Sequence, residues 1–155
     1  MGDLYFRLNV PSVNGVPNLK VDLARDMLMR TTESSRQKHD AIVNDLANEI
    51  ERKYPGHVEA IHQVIKDYSG NVVAEFDIVT KNAVIEVKSG SGQGLSGQVT
   101  KEQQHTDKPV IGYGPDLKPS VVKQAEKDGH LVTTERDILL EVIKPDPPSN
   151  EREDS

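Results

Sequence analysis

Three residues near the middle of the chain could together perform metal-assisted hydrolysis. Asp77, Glu86 and Lys88 lie within one short stretch of the sequence. Carboxylate oxygens are the ligands that hard divalent cations such as Mg²⁺ prefer, and such ions keep positions for water and phosphate oxygens. A nearby lysine could orient or deprotonate the attacking water, or stabilise the charge of the transition state. These residue types therefore indicate hydrolysis of a phosphodiester bond.

The elements that must position these residues form a predicted β-hairpin. Residues 72–79 and 83–88 are rich in Val and Ile, which is typical of strands. The break at Thr80, Lys81 and Asn82 is short enough for a tight turn. The sequence therefore predicts two antiparallel strands joined by a loop of about two residues.

Counting outward from this turn predicts the register of the hairpin. It places Asp77 opposite Glu86 and Glu75 opposite Lys88. Facing residues have β-carbons about 4.5–5.5 Å apart, so facing carboxylates repel unless a cation lies between them. Because strand side chains alternate, these four residues share a polar face with Val79 and Val84. The other face is predicted to be apolar, with Ala74, Phe76, Ile78, Ala83, Ile85 and Val87.

This hairpin resembles the catalytic hairpin of the PD-(D/E)xK phosphodiesterase superfamily, in which an Asp on one strand and a Glu-x-Lys on the next form a metal site. Asp77, Glu86 and Lys88 match those positions, although Phe76 rather than Pro precedes the aspartate. A closer resemblance is to the C-terminal toxin domains of contact-dependent growth inhibition and related polymorphic toxin systems. It is carried by three segments: Glu-Phe-Asp-Ile-Val-Thr, Ile-Glu-Val-Lys-Ser-Gly and, downstream, Val-Ile-Gly-Tyr-Gly-Pro. This closer match covers about residues 72–140.

The resemblance implies an α/β fold whose restriction-endonuclease-like core is a central mixed sheet flanked by helices. It implies a metal-dependent nuclease in which Asp77 and Glu86 hold Mg²⁺, with Mn²⁺ or Zn²⁺ as alternatives, and Lys88 assists catalysis. RNA is the favoured substrate, transfer RNA in particular, and DNA is the alternative because deoxyribonucleases and Holliday-junction resolvases share the constellation. The resemblance also implies secretion within a larger polypeptide, delivery to the target-cell cytoplasm, and a cognate immunity protein.

The chain is predicted to consist of three parts. Residues 1–33 form an irregular and partly helical lead-in, 34–144 the nuclease-like domain, and 145–155 a disordered acidic tail. A capping box of Ser34 and Gln37 predicts the start of a helix that Pro55-Gly56 ends. Further predictions are a strand at 58–66, helices at 96–106, 118–127 and 135–143, and strands at 109–113 and 130–133. The alternation of strands and helices favours parallel or mixed pairing.

In members of the superfamily, the metal site often includes a further acidic residue from the helix that precedes the hairpin. At 100° per residue, Glu49 lies about 90° from the centre of the apolar stripe of this helix, and Asp45 about 130°. Glu49 is therefore the favoured catalytic candidate and Asp45 the alternative. Glu75, on the hairpin itself, is a rival for this role.

Polar residues at three- and four-residue spacings predict a substrate-facing surface on the helix at 96–106. They are Gln98, Lys101, Gln104 and His105, and a solvated helix surface is the alternative interpretation. His105 is also a candidate for proton transfer. The glycine-rich segment 89–97 lacks the Gly-Lys-Ser/Thr ending of a nucleotide-binding loop, which favours a flexible rim or a linker. The other histidines, His39, His57, His62 and His130, have no short-range ligand spacing and are predicted to be surface or packing residues.

Composition limits the classes of function. The 155 residues fit one domain, and the absence of cysteine excludes disulfides and thiolate metal sites. A formal net charge of −6 weighs against a protein that coats long duplexes, because binding to the phosphate backbone depends on Lys and Arg. A non-catalytic binding module on the same scaffold is the second class of function. The joint presence of Asp77, Glu86 and Lys88 argues against it.

Overall fold

The computed structural model describes residues 19–147, with side chains from residue 33 onward. Contacts divide the chain into two compact units, Met1–Asp40 and Ala41–Ser155. The described part of the first unit is helical, and the second unit contains the sheet. The predictions for residues 1–18, and for the tail from residue 148, lie outside the described residues.

The sheet has five strands and mixed pairing, as the sequence predicts. Strands β1, β2 and β3 pair antiparallel, whereas β3, β4 and β5 pair parallel, in the spatial order β1-β2-β3-β4-β5. Helices flank this sheet, so the fold is α+β. The elements are α1 (Leu19–Lys53), β1 (Val58–Lys66), β2 (Val72–Thr80), β3 (Val84–Val87), α2 (Leu95–Gln103), β4 (Val110–Tyr113), α3 (Pro119–Lys127), β5 (Leu131–Thr133) and α4 (Arg136–Val142).

Helix α1 is continuous through the position at which the sequence predicts a helix start. It spans 35 residues, so the predicted capping box of Ser34 and Gln37 is wrong. No Gly or Pro occurs between Leu19 and Lys53, and nothing in the local sequence therefore forces a break. The helix ends where predicted, before Pro55 and before Gly56, whose φ of 80° suits glycine.

Both faces of the central strands are covered, which corrects the prediction of one apolar and one polar face, whereas Ile61, Val64 and Val72 of the first two strands are exposed. Val79 and Val84, predicted to lie on the polar face, are buried at 6% and 0% exposure. One apolar cluster combines Val43, Leu46, Ala47 and Ile50 of α1 with Ile78, Ala83, Ile85, Val87, Ile111, Tyr113, Leu139, Leu140 and Ile143. The second combines Ala74, Phe76, Val79, Val84, Leu95, Val99, Val110, Leu117, Ala125 and Val132. We call these the α1 face and the α2 face of the sheet.

The regular alternation of side chains between the two faces of the sheet is interrupted in β2 between Phe76 and Ile78, opposite His62 of β1. Phe76 and Ile78 are two residues apart in β2 yet pack on different faces, whereas a regular strand keeps such residues on one face. His62 lies at this level of β1, between the pairs Ile61–Ile78 and Gln63–Phe76, and has a φ of 49°. This left-handed backbone costs a non-glycine residue about 1–2 kcal/mol. The face assignment predicted for Ala74 and Phe76 is therefore wrong.

The hairpin turn is held by the side chains that the sequence places there. The backbone N–H of Ala83 donates to Thr80 Oγ1 at 3.0 Å, and the N–H of Thr80 donates to the carbonyl of Ala83 at 2.8 Å. Asn82 Nδ2 donates to the carbonyls of Ile143 and Lys144, both at 3.2 Å. These bonds fix the turn and join it to the end of α4.

Candidate metal centre

The register of the hairpin agrees with the prediction next to the turn and changes at Asp77. Ile78 pairs with Ile85 and Val79 with Val84, as predicted, and the paired register stops there. Asp77 Oδ2 instead accepts a hydrogen bond from the backbone N–H of Val87 at 2.8 Å. A carboxylate thus takes the place of a backbone partner, and this bond holds Asp77 at 5% exposure beside β3.

Glu86 projects from β3 toward the α2 face. Its neighbours Ile85 and Val87 both pack on the α1 face, so alternation directs Glu86 to the opposite side. The residue is 6% exposed. Burial raises the pKa of Glu86 to about 10, and the negative charges of Asp77 and Glu102 act in the same direction. The predicted proximity of Asp77 and Glu86 is therefore present as an electrostatic interaction between two buried carboxyls.

Glu102 is a third buried carboxyl that the sequence analysis missed. It lies on the buried stripe of α2 with Leu95 and Val99, at 5% exposure. Both of its side-chain oxygens are buried, and neither accepts a hydrogen bond from an N–H or hydroxyl group of the described residues. Burial is the main cause that raises the pKa of Glu102 to about 7, against the lowering effect of a hydrogen bond with the Glu86 carboxyl, and the charges of Asp77 and Glu75 also raise it.

The carboxyls of Glu86 and Glu102 interact with each other across the space between β3 and α2. Each affects the pKa of the other, and both are also influenced by Asp77. Buried carboxylates without donors are costly unless they share a proton or bind a cation. The arrangement is therefore suited to a divalent metal ion, since carboxylate oxygens are the ligands that Mg²⁺ and Mn²⁺ prefer.

Lys88 supplies a positive charge to this group of acids. It directly follows β3, and its backbone N–H donates to the carbonyl of Tyr113 at 2.8 Å. The charge of the lysine lowers the pKa of both Glu86 and Glu102, against the larger effect of burial. The predicted trio of Asp77, Glu86 and Lys88 is thus brought together around one buried acidic centre.

A second group of potential ligand atoms also includes Asp77. His62, Glu75 and Asp77 each offer one ligand atom, and these atoms all lie within 4.8 Å of one another. The Nδ1 atom of His62 is 3.9 Å from Glu75 Oε1. The sequence analysis predicted a surface or packing role for His62 and paired Glu75 with Lys88. The structure places the histidine and Glu75 beside the aspartate instead.

The candidate acids of α1 form ion pairs with α4. Arg136 Nη1 donates to Asp45 Oδ2 at 2.7 Å and to Glu49 Oε1 at 3.3 Å, and its Nε donates to the Tyr113 hydroxyl at 3.2 Å. Burial lowers the pKa of Arg136, but the hydrogen bonds with Tyr113 and Asp45 outweigh it and hold the pKa above its ordinary value. These contacts give both acids a structural role. The catalytic role of Glu49 stays a prediction.

The four predicted substrate-binding residues are exposed. Gln98 and Lys101 lie on α2, Gln104 caps its end, and His105 follows. Gln98 precedes Glu102 by four residues and therefore lies on nearly the same side of the helix as this buried acid. The contact of these side chains with nucleic acid stays a prediction.

Three of the remaining histidines have structural contacts. His57 is buried at 2% exposure, and its Nε2 donates to the carbonyl of Ile143 at 2.7 Å. His130 Nε2 lies 2.8 Å from Thr100 Oγ1, and His39 Nδ1 lies 3.2 Å from Asp40 Oδ1. These contacts agree with the predicted packing and surface roles.

Comparisons with models of protein families, with curated proteins and with solved structures find no match to this chain. Among the described residues, no helix has the length and apolar character that a bilayer span requires.

Proposed function

We propose that this protein is a metal-dependent nuclease that hydrolyses phosphodiester bonds. The observation that carries the proposal is the group of three buried carboxyls, Asp77, Glu86 and Glu102, beside Lys88. Structural cores rarely bury several acids together, because each charge loses its hydration. The resemblance of the hairpin to the PD-(D/E)xK superfamily, with its restriction-endonuclease-like core, supports the same function.

Each residue of the centre has a defined task in this proposal. Asp77 and Glu86 would hold a divalent cation, which would supply activation of the attacking water and neutralisation of charge on the phosphate. Glu102 adds negative charge that strengthens cation binding. Lys88 orients the attacking water or stabilises the charge that develops on the phosphate oxygens. The water oxygen would form the new bond to phosphorus and release one proton to solvent, while the bond to the leaving oxygen would break and that oxygen would take up a proton from solvent.

Mg²⁺ is the favoured ion for the carboxylates of Asp77 and Glu86, with Mn²⁺ and Zn²⁺ as alternatives. An all-oxygen set of ligands suits Mg²⁺, which keeps several of its waters. The favoured substrate is RNA, and transfer RNA in particular, on the basis of the resemblance to contact-dependent inhibition toxins. The exposed row of Gln98, Lys101 and His105 would contact the nucleic-acid backbone.

The same resemblance supports an inhibitory partner and delivery into another cell. We propose that a cognate immunity protein binds either the acidic centre or the rim formed by residues 89–106. Several rim residues are exposed, including Gln93, Gly94 and Gln98. The protein would be secreted within a larger polypeptide and would act in the cytoplasm of the target cell.

The test is a cleavage assay with matched variants. Purified protein is incubated with total RNA and with plasmid DNA, with and without Mg²⁺ or Mn²⁺. The variants Asp77→Ala and Lys88→Ala are compared with Lys123→Ala, which removes an exposed lysine of α3. We expect metal-dependent cleavage by the wild type and by Lys123→Ala, and a loss of about 10²-fold or more in the two site variants.

The outcomes separate the possible functions. Cleavage of RNA alone supports the favoured substrate, whereas cleavage of plasmid alone indicates a deoxyribonuclease. Cleavage that persists at the wild-type rate in Asp77→Ala and Lys88→Ala would contradict the assignment of the centre. No cleavage with either nucleic acid and either metal would favour the binding-module alternative.

A further inference from the structure

A nitrogen ligand lies beside the carboxylates of the proposed nuclease centre. The ligand atoms of His62, Glu75 and Asp77 all lie within 4.8 Å of one another. Asp77 also belongs to the carboxylate group with Glu86 and Glu102. His62 therefore adds a nitrogen ligand to a group of residues that otherwise offers only carboxylate oxygens.

We propose that His62, Glu75 and Asp77 bind a zinc-like divalent transition-metal ion. Because the three residues share Asp77 with the nuclease centre, this inference rests on the proposed function and adds a cation to it. One imidazole and two carboxylates form a mixed nitrogen and oxygen donor set of the kind that Zn²⁺ accepts. Three protein ligands leave a fourth position for water or a substrate oxygen, which is typical of catalytic rather than structural zinc sites.

Glu102 provides an independent indication of a cation. Its carboxyl is buried, 5% of the residue is exposed, and neither oxygen accepts a hydrogen bond from an N–H or hydroxyl group in the described part of the chain. The acids that act on it electrostatically include both Asp77 and Glu75, two members of the proposed ligand set. A cation between His62, Glu75 and Asp77 would add to the positive charge that Lys88 already supplies to these buried acids.

His62 has an unusual backbone conformation, which decides which substitutions can test its role. His62 has a φ of 49°, at the level where the side-chain alternation of β1 and β2 breaks. Glycine and asparagine tolerate this backbone conformation better than most residues. Replacement of His62 by either residue therefore removes the imidazole without straining the fold further, which makes a test of its role possible.

The test measures metal binding directly, without a nuclease assay. Protein treated with a chelator is titrated with Zn²⁺ and, separately, with Mg²⁺ by calorimetry, for the wild type, His62→Gly and His62→Asn. His130→Asn is the matched control, since it removes a histidine outside the centre. Nuclear magnetic resonance of ¹⁵N-labelled histidine side chains, recorded during the Zn²⁺ titration, shows which imidazole binds the ion. Thermal unfolding without metal checks that each variant folds.

We expect Zn²⁺ to shift the ring nitrogen signals of His62 and to leave those of His130 unchanged. Loss of an outer-shell partner of a metal ligand already weakens binding about 10–100-fold, so loss of the ligand itself should weaken Zn²⁺ binding at least as much. Mg²⁺ binding should change much less, because it depends on the carboxylates. The unfolding temperature of metal-free His62→Gly should equal or exceed that of the wild type.

Equal Zn²⁺ affinity in wild type and both His62 variants would overturn the inference, as would the absence of Zn²⁺ binding or an unshifted His62 signal. The nuclease proposal and the zinc-site proposal can be contradicted separately, because cleavage and Zn²⁺ binding are measured in different experiments. His62-dependent Zn²⁺ binding without any cleavage would support the metal site and contradict the nuclease function. Cleavage that depends on Lys88 without His62-dependent Zn²⁺ binding would support the nuclease and overturn the site proposed here.

Discussion

The two faces of the sheet contain similar apolar clusters but differ in their buried polar groups. On the α1 face, the partly buried side chains of Tyr54 and Arg136 have partners: the Tyr54 hydroxyl donates to the carbonyl of Leu140 at 2.9 Å, and Arg136 donates to Asp45. Buried His57 donates from Nε2 to the carbonyl of Ile143, whereas its Nδ1 has no hydrogen-bond partner among the described residues. On the α2 face, Glu86 and Glu102 are two buried carboxyls with raised pKa values, joined by a hydrogen bond.

The difference separates a face that stabilises the fold from a face that can perform chemistry. Apolar burial contributes about 25 cal/mol for each square ångström removed from water, and satisfied polar groups preserve that gain. Buried carboxyls without donors reduce it, unless a ligand binds them. The α1 face therefore provides the stability that allows the α2 face to hold acids in an unfavourable environment.

Disruption of the α1 face should have the largest effect on stability. Leu46 is fully buried in this cluster, and Leu46→Ala removes its contacts and leaves a cavity. We expect the free energy of unfolding to fall by about 2–5 kcal/mol, as measured by chemical denaturation. Leu131→Ala, at a leucine that is 46% exposed, is the control and should change it by much less. A loss near zero in Leu46→Ala would contradict the role of this face.

Removal of a charge from the α2 face should have the opposite sign in the metal-free protein. The pKa of Glu102 is raised to about 7, so the folded state holds a proton that the unfolded state releases above about pH 4.5. The stability of the wild type should therefore fall as pH rises from about 4.5 through 7, and Glu102→Gln should reduce this fall. At pH 8 we expect the metal-free variant to be more stable by about 1–3 kcal/mol.

Divalent metal should make the wild type more stable than Glu102→Gln. Mg²⁺ or Mn²⁺ neutralises the acids of the wild type, so thermal unfolding should shift upward more in the wild type than in Glu102→Gln. Glu126→Gln, which alters an exposed acid of α3, should behave like the wild type in both experiments. A Glu102→Gln protein that is less stable than the wild type at every pH, without metal, would contradict the view that this carboxyl is held at a cost.

The smallest expected effect lies in the ion pairs of α1 with α4. Asp45→Asn and Glu49→Gln each weaken one partially exposed contact with Arg136, and each should lower the free energy of unfolding by about 1 kcal/mol or less. The cleavage rate distinguishes the two acids. A fall in rate confined to Glu49→Gln would support its predicted place in the metal centre, whereas equal rates would assign both acids to the structural role.

Local sequence patterns predicted much of the fold. The strands and helices after residue 57 lie within about three residues of the predicted positions, because Val- and Ile-rich runs, glycines and prolines act over short distances. The continuity of α1 through Ser34 was not predicted, since a capping box is a weak signal where no Gly or Pro interrupts the helix. The face switch between Phe76 and Ile78 was not predicted, because regular alternation gives no signal for it; it lies opposite His62 of β1, whose φ is 49°.

The sequence by itself determined the hairpin and its register beside Asn82, because a two-residue turn fixes which residues face each other. It also placed Asp77, Glu86 and Lys88 within one short stretch, but the predicted pairing of Asp77 with Glu86 is replaced by a hydrogen bond from the Val87 N–H to Asp77. The spacing of Leu95, Val99 and Glu102 was sufficient to predict that Glu102 lies on the buried side of the helix, but not that it interacts with Glu86. Only the tertiary structure decided that Glu102 meets Glu86 and that His62 meets Asp77. Such contacts join residues far apart in the chain, and they follow from how helices and neighbouring strands pack on the sheet rather than from local propensity.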